Sequence, residues 1–279
     1  MNTLSLLPQV QRAMQEANFF PEKRFSQNFL IDESAVHSLV RAGELSQNDC
    51  VLEIGGGTGT VTEELCKTSS KVICVEIHSK LASYLSKKFS KHSNVSIIQG
   101  DFTKLNLDEL LYNKVVSSPP YAIADDIMFS LFSKPFEKGV FIWQTEFAQK
   151  LVALSGTGEY HPLSVLTGIF YHSSIIQKIP PNSFYPSPQS FSSIVVLDAK
   201  KNPPKIPDIK SFIFFVRTLF RFRNKKVRNA LEYYFSEKKI SEDKKKAWKK
   251  ISGMNDILNE KVFLSEPESF VHLFNEVRK

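Results

Sequence analysis

Four stretches of this 279-residue chain carry side chains whose type and spacing could do chemistry. The first is Glu53-Ile54-Gly55-Gly56-Gly57-Thr58-Gly59, with four glycines in five residues, set between a short apolar run, Cys50 to Leu52, and Thr60 to Leu65, which has the composition of a helix start. Glycine lets a backbone turn with positive φ and approach a ligand with no Cβ in the way. The following helix N-terminus points free N–H groups at whatever sits there, so a nucleotide-like ligand is expected. The second and third are carboxylates that follow apolar runs. Glu76, after Lys71 to Val75, lies 17 positions beyond Gly59, close to the interval at which α/β folds set an acid on a ribose diol. A solvated strand end is the alternative; a carboxylate, however, accepts from two adjacent hydroxyls better than an amide does. Asp101, after Val95 to Gln99, is followed by Phe102; the acid can accept from an exocyclic amine while the ring supplies an apolar wall, which suits adenine.

The fourth stretch is Ser118-Pro119-Pro120-Tyr121. Two prolines fix φ and remove two donors, leaving carbonyl acceptors on a rigid frame beside a hydroxyl and an aromatic face. Such a frame suits methylation of an amino group on a base. The lone pair of an aryl amine is delocalised into the ring. Acceptors that hold its N–H bonds out of plane localise that pair toward an electrophile, and Tyr121 can stack on the ring.

The elements that must position these groups read as alternating strands and helices. Asp32 or Ser34 can cap a helix running to about Gly43. The runs Lys71 to Ile77, Val95 to Gln99, Lys114 to Ser117 and Phe141 to Trp143 read as strands, near-continuous in apolar residues as buried parallel strands are. Lys80 to Phe89 and Thr145 to Leu154 read as helices. A stiff loop, Pro180 to Pro188, lies between the apolar runs Ile169 to Ile179 and Ser192 to Leu197; it either presents Phe184 or Tyr185 at fixed geometry or is a structural crossover. Residues 198–210, with three prolines and four lysines, read as a linker, and Ser211 to Phe235 as one helical segment. The amphipathic Leu4 to Phe20, followed by Pro21, Lys23 and Arg24, reads as an arm. Gln27 and Asn28, in Phe25-Ser26-Gln27-Asn28-Phe29-Leu30, are by themselves ordinary turn residues.

Charge is unevenly spread. From Lys200 to Lys250 there are 17 Lys and Arg against 5 Asp and Glu, a balance of +12 within a chain of net +7, so the remainder is net −5. Arg217, Arg221, Arg223, Lys225, Lys226 and Arg228 are interleaved with Phe215, Phe220 and Phe222, a pattern that reads as a phosphate-backbone footprint. Cys50, Cys66 and Cys74 form no CxxC pair, which supports neither a zinc site nor a disulfide framework and fits a reducing compartment. No signal-peptide pattern and no apolar stretch of about 18 residues is present, so a soluble cytoplasmic protein is expected.

The glycine loop fails the dinucleotide frame Gly-x-Gly-x-x-Gly, because Thr60 or Thr62 falls where the last glycine belongs. Its actual spacing, Glu53-x-Gly55-x-Gly57-x-Gly59, resembles motif I of S-adenosylmethionine-dependent methyltransferases. Over about residues 20–235 the ordered series of motifs resembles the ribosomal RNA adenine N6,N6-dimethyltransferase family. Besides the stretches above, it is carried by Gln144 to Ser164, by Pro180-Pro181-x-x-Phe184-x-Pro186-x-Pro188 and by Phe220-x-x-Arg223-x-Lys225-x-x-Arg228-Asn229. The resemblance implies an α/β, Rossmann-like methyltransferase domain with a mixed seven-stranded sheet over residues 25–200. An N-terminal arm (1–24) precedes it, and a small helical rRNA-binding domain (201–279) follows. It further implies that Gln27, Asn28, Leu30, Gly55, Gly57, Glu76, Asp101, Phe102 and Ser118 hold S-adenosylmethionine. Ser118, Pro120, Tyr121 and Phe184 would handle the target base, with Tyr121 and Phe184 on its two faces. Arg221, Arg223, Lys225, Lys226 and Arg228 would contact RNA.

The implied substrate is a pair of adjacent adenosines in a hairpin near the 3′ end of small-subunit rRNA, met in the pre-30S particle by a monomer, with no metal and no membrane. One departure is visible. The family has Asn-Leu-Pro-Tyr where this chain has Ser118-Pro119-Pro120-Tyr121, a form that resembles the motif of DNA methyltransferases acting on cytosine N4. A serine hydroxyl accepts the same hydrogen bond as the missing amide carbonyl, so the change reads as a variant within amino-group chemistry. A DNA amino methyltransferase and a non-catalytic ribosome-assembly factor are the competing readings.

Overall fold

Glycine- and proline-bounded apolar runs become strands, and the amphipathic segments between them become the helices that cover the sheet. The structure, a computed structural model, describes residues 5–21, 27–238 and 255–278. In chain order the elements are α1 (Leu7–Glu16), β1 (Phe29–Leu30), α2 (Glu33–Ala42), β2 (Cys50–Ile54), α3 (Thr60–Thr68), β3 (Lys71–Glu76), α4 (Ser79–Lys88), β4 (Val95–Gln99), β5 (Lys114–Ser117) and α5 (Ala124–Ser133). They continue with β6 (Lys138–Gln144), α6 (Thr145–Val152), α7 (Pro162–Phe170), β7 (Tyr171–Ile179), β8 (Phe184–Tyr185), β9 (Ser192–Ala199), α8 (Ile209–Phe220) and α9 (Val227–Glu237). Those described after residue 254 are α10 (Asn255–Asn259) and α11 (Pro267–Arg278). Phe25, Ser26, the basic pair Lys23 and Arg24, and the lysines between 239 and 250 lie outside the described residues.

Seven strands form one sheet in the order β4-β3-β2-β5-β6-β9-β7. The pairs β2·β3, β3·β4, β2·β5 and β5·β6 are parallel, and β9 runs antiparallel to β6, from Lys138↔Asp198 to Gln144↔Ser192. The expected mixed seven-stranded sheet is therefore present. The chain leaves β2 through α3 to β3 and β4 on one side, then returns to place β5 on the other. That reversal makes the carboxyl ends of β2 and β5 a topological switch point, where open α/β sheets leave a crevice. Beneath it, Ala35, Val36 and Leu39 of α2 and Val61 and Leu65 of α3 share one core with Val51, Val72, Val116, Val140 and Ile142 of the strands.

The chain divides into two compact units. The first comprises Met1–Ala148 and Ser173–Ala199 and contains the sheet. Its N-terminal segment is part of the packing: Val10, Met14, Ala17 and Phe19 are buried together with Phe29 and Leu81. The second unit comprises Gln149–His172 and Lys200–Lys279, so it draws α7 together with the C-terminal helices. An aromatic core holds that unit, with Phe212, Phe215, Phe270 and Phe274 all fully buried. The expected single helix from 211 to 235 is two helices. Asp208 caps the first by accepting from Ser211 N at 3.0 Å. The break follows from tertiary capture of backbone groups: Phe263 N donates to Arg223 O (3.1 Å), Val262 N to Lys225 O (3.1 Å), and Val227 N to Glu260 O (2.9 Å). Among the described residues no helix is long and apolar enough to cross a membrane.

Candidate active site

At the ends of β2, β3 and β5 three of the four chemical stretches meet. The glycine loop leaves β2 with Gly55 at φ +82°, its N–H donating to Val75 O at 2.7 Å. A Cβ on Gly55 would stand 3.3 Å from Pro120 Cδ, so this loop lies directly against the Pro-Pro turn. Gly57, at φ +56°, donates its N–H to Glu76 Oε2 at 2.9 Å, and a Cβ there would press on the Phe29 ring at 3.0 Å. Both positions combine a left-handed backbone with close approach, a combination that selects glycine.

Glu76 is only 5% exposed. Its two carboxylate oxygens accept from Gly57 N and from His78 N (2.8 Å). Burial pushes its pKa up, and these backbone donors oppose the shift. Each carboxylate oxygen has a second lone pair, so acceptor capacity remains for a ligand's hydroxyls. The adjoining Ile77 is 60% exposed, an apolar side chain left uncovered at the strand end. Gly100 N donates to Glu76 O at 3.0 Å, which brings the Gly100-Asp101 turn beside it. Asp101 caps a short 3-10 turn through Thr103 N (3.0 Å) and pairs with Lys104 at 3.1 Å, while Phe102 is buried behind it. The sequence reading missed Ile77 by absorbing it into the apolar run of β3; its place after the carboxylate was the available signal.

The Pro-Pro turn is fixed from below by the serine that precedes it. Ser117 is fully buried, accepts from Ile54 N at 3.1 Å and donates to Ile54 O at 2.7 Å, tying the end of β5 to the end of β2. Ser118, one residue on, is half-buried, as is Tyr121. The Tyr121 hydroxyl shares a 2.8 Å hydrogen bond with Ser192 Oγ, and its ring lies 6.3 Å from that of Trp143. Burial pushes the phenol pKa well up, so it stays protonated, with Ser192 opposing the shift.

The remaining predicted residues separate into two groups. Gln27 and Asn28 are half-buried in the segment leading to β1. β1 pairs with β8 in a two-stranded ladder, Phe29↔Tyr185 and Leu30↔Phe184. Leu30 and Phe184 therefore sit together, but Phe184 is only 2% exposed and packs in the main core. Its ring presents no open face to a base in this structure. Arg221, Arg223, Lys225, Lys226 and Arg228 all lie in the second unit. There Arg223 donates to Thr157 O (3.3 Å) and Gly158 O (3.1 Å), and Arg228 donates to Leu258 O (3.4 Å) and to Asn259. These two guanidinium groups hold the chain together around the turn, whereas Lys225 and Lys226 are exposed.

The first unit's residues fit S-adenosylmethionine on structural grounds. A cradle that a Cβ would fill, a carboxylate at the second strand end, a bare aliphatic side chain beside it and a further acid at the third strand end match a ribose and a base. Among the described residues no group of three or more His, Cys, Asp or Glu side chains could hold a metal ion.

Comparison with known proteins agrees. The family model described as ribosomal RNA adenine dimethylase matches residues 19–277. A probable ribosomal RNA small subunit methyltransferase A of Methanococcoides burtonii is 42% identical over 205 residues, 74% of this chain and 75% of that protein. The protein of that name from Methanococcus aeolicus is 37% identical over 262 residues, 92% of this chain and 96% of its own length. Among solved structures, a dimethyladenosine transferase from Plasmodium falciparum shares the fold at TM-score 0.74 and 24% identity, covering 90% of this chain and 98% of that one. The 23S rRNA methyltransferase ErmE does so at TM-score 0.63 and 24% identity, covering 90% and 100%.

Proposed function

Since the chain belongs to the ribosomal RNA adenine dimethylase family, whose members are S-adenosylmethionine-dependent methyltransferases, we propose that it dimethylates N6 of two adjacent adenosines in a hairpin near the 3′ end of small-subunit rRNA. It does so as a monomer during assembly of the small subunit. The observation that carries this reading is the contact of the Gly55 loop with the Pro119-Pro120 turn, because it sets the cofactor loop against the segment whose chemistry suits an aryl amine.

When bound, S-adenosylmethionine would supply an electrophilic methyl group, its sulfur keeping the electron pair of the broken bond as S-adenosylhomocysteine departs. Gly55, Gly57, Glu76, Asp101 and Phe102 hold its nucleoside, with Ile77 covering the base, and Gln27, Asn28 and Leu30 border its amino-acid end. Ser118 and the Pro119-Pro120 carbonyls accept the target amine's N–H bonds and turn its lone pair out of the ring plane. Tyr121 stacks on the base and is held by Ser192. Phe184 meets the other face after moving from its packed position. The N6 proton becomes acidic once the methyl is attached and leaves to water, so no strong base is required. A base in a hairpin loop is already partly unstacked and costs least to extrude. The second unit grips the RNA backbone through its exposed cations.

Small subunits from cells lacking this protein, incubated with it and labelled S-adenosylmethionine, should yield N6,N6-dimethyladenosine on digestion and mass spectrometry. Label in N4-methylcytosine, label in 23S rRNA instead, or cofactor binding with no transfer would each overturn the assignment.

A further inference from the structure

The second unit carries an aromatic stack that its core does not use. Phe222, in the turn between α8 and α9, and Tyr233, on α9, lie with ring centroids 3.9 Å apart and planes inclined by 15°. Tyr233 is 54% exposed, unlike its neighbours Tyr234 and Phe235, which are buried. One face of Tyr233 rests on Phe222, and just over half of the residue remains exposed. Asn229 and Tyr233 stand four apart on α9, and Lys226 immediately precedes the helix as its N-cap residue; all three are exposed. Arg221, next to Phe222, is 64% exposed at its side chain and 3.2 Å from Glu237; Glu232 and Glu237 are the acids of α9. A large exposed ring, rigidified by a second ring and bordered by cations, is the construction on which unpaired bases stack while phosphates are neutralised alongside.

We propose that the Phe222–Tyr233 stack is a platform for an unpaired base of the RNA substrate, away from the base that is methylated, with Lys226 and Arg221 meeting the adjoining phosphates. The platform rests on the reading above that the partner is RNA. Charge complementarity favours RNA over a protein partner, since Lys225 and Lys226 stand exposed in the same turn.

The test uses the full chain and a small-subunit rRNA fragment containing the 3′-terminal hairpin. Tyr233→Ala should weaken RNA binding about five- to a hundredfold, the range that loss of one base–aromatic stack gives. Tyr233→Phe should stay within about twofold, because stacking needs the ring and not the hydroxyl. Circular dichroism and S-adenosylmethionine binding, the latter reporting the first unit, should match wild type in both. A Lys225→Ala, Lys226→Ala double variant separates the two readings. If it weakens RNA binding while Tyr233→Ala binds as wild type, the platform is overturned and the RNA assignment stands. If wild-type chain binds cofactor but no RNA, the RNA assignment fails and the platform with it. If Tyr233→Ala keeps RNA affinity yet loses binding to assembled small subunits, the face serves a protein and the platform is overturned.

Discussion

Glu53 and Glu76 show how two acids at adjacent strand ends are set different tasks. Glu53 is fully buried, accepts from Thr62 Oγ1 at 2.6 Å, and is pushed up to about 7, chiefly by burial, with the Glu76 charge adding to the rise. In the unfolded chain such a carboxyl titrates near 4.5. Between those values the native state holds a proton that the unfolded state has lost, so stability falls as pH rises through the window, by about 3 kcal/mol in all. Glu53→Gln keeps an acceptor for Thr62 and has no proton to lose. Denaturant unfolding at pH 5 and pH 8 should therefore show the wild type losing roughly 2–3 kcal/mol more than the variant, most of the full effect; identical pH dependence would refute the assignment. Glu76 instead faces the crevice with spare lone pairs. Glu76→Ala should weaken S-adenosylmethionine binding about tenfold or more, the worth of one or two charge-assisted hydrogen bonds, while RNA affinity holds. Equal loss of both by calorimetry would make Glu76 a purely structural residue.

At the scale of elements, the small β1–β8 ladder clips the segment after the N-terminal helix to the Pro180 loop. Ile31 N donates to Ser183 O at 2.8 Å, and Ser183 Oγ to Asp32 Oδ2 at 2.9 Å. Asp32 also caps α2 through Ser34 N at 3.0 Å. Burial raises its pKa, but these hydrogen bonds outweigh that and hold it below the ordinary carboxylate range. Asp32→Ala should cost about 1–2 kcal/mol of stability. It should also weaken cofactor binding, because Phe29 of the clip is the ring that abuts Gly57; a stability loss with unchanged cofactor affinity would detach the clip from the site. This clip was not legible in the sequence, whereas β2 to β6 were. Buried parallel strands announce themselves as continuous apolar runs. A two-residue strand has no periodicity, and its partner lies some 150 positions away. Helix α5 was missed for a related reason: Ile127, Met128, Phe129, Leu131 and Phe132 are all buried, so only a narrow stripe, Asp126, Ser130 and Ser133, marks a helical period. The motif residues of the candidate site stand out by type and spacing, but Ser117 and Ser118 were not separable by type. Only the fold reveals that the first ties two strands together while the second, half-buried, begins the turn. The same holds for Arg223 and Arg228, whose sequence context reads as phosphate binding while their hydrogen bonds go to backbone carbonyls.

Over the whole molecule, charge and chemistry are divided between different parts of the chain. The +12 stretch from Lys200 to Lys250 belongs to the second unit, and the cofactor-site residues named above belong to the first. The two ligands should therefore respond differently to salt. On the proposed reading, binding of S-adenosylmethionine would depend on buried hydrogen bonds with Glu76 and on apolar contact, which ionic strength screens little. RNA binding through the proposed exposed cations would displace counterions, each phosphate contact adding about 0.7 to 0.9 to the slope of log affinity against log salt. If Arg221, Lys225 and Lys226 each meet a phosphate, the slope is roughly −2.5, and RNA affinity falls by about thirtyfold between 50 and 200 mM salt. Removing Lys225 and Lys226 together should reduce that slope by about 1.5 and leave cofactor affinity within error. Arg223→Ala should behave differently, since its guanidinium holds Thr157 O and Gly158 O: unfolding of the second unit is affected more than the salt slope. A flat salt response of RNA binding, or a cofactor affinity that falls with the same slope, would show that recognition is not divided in this way.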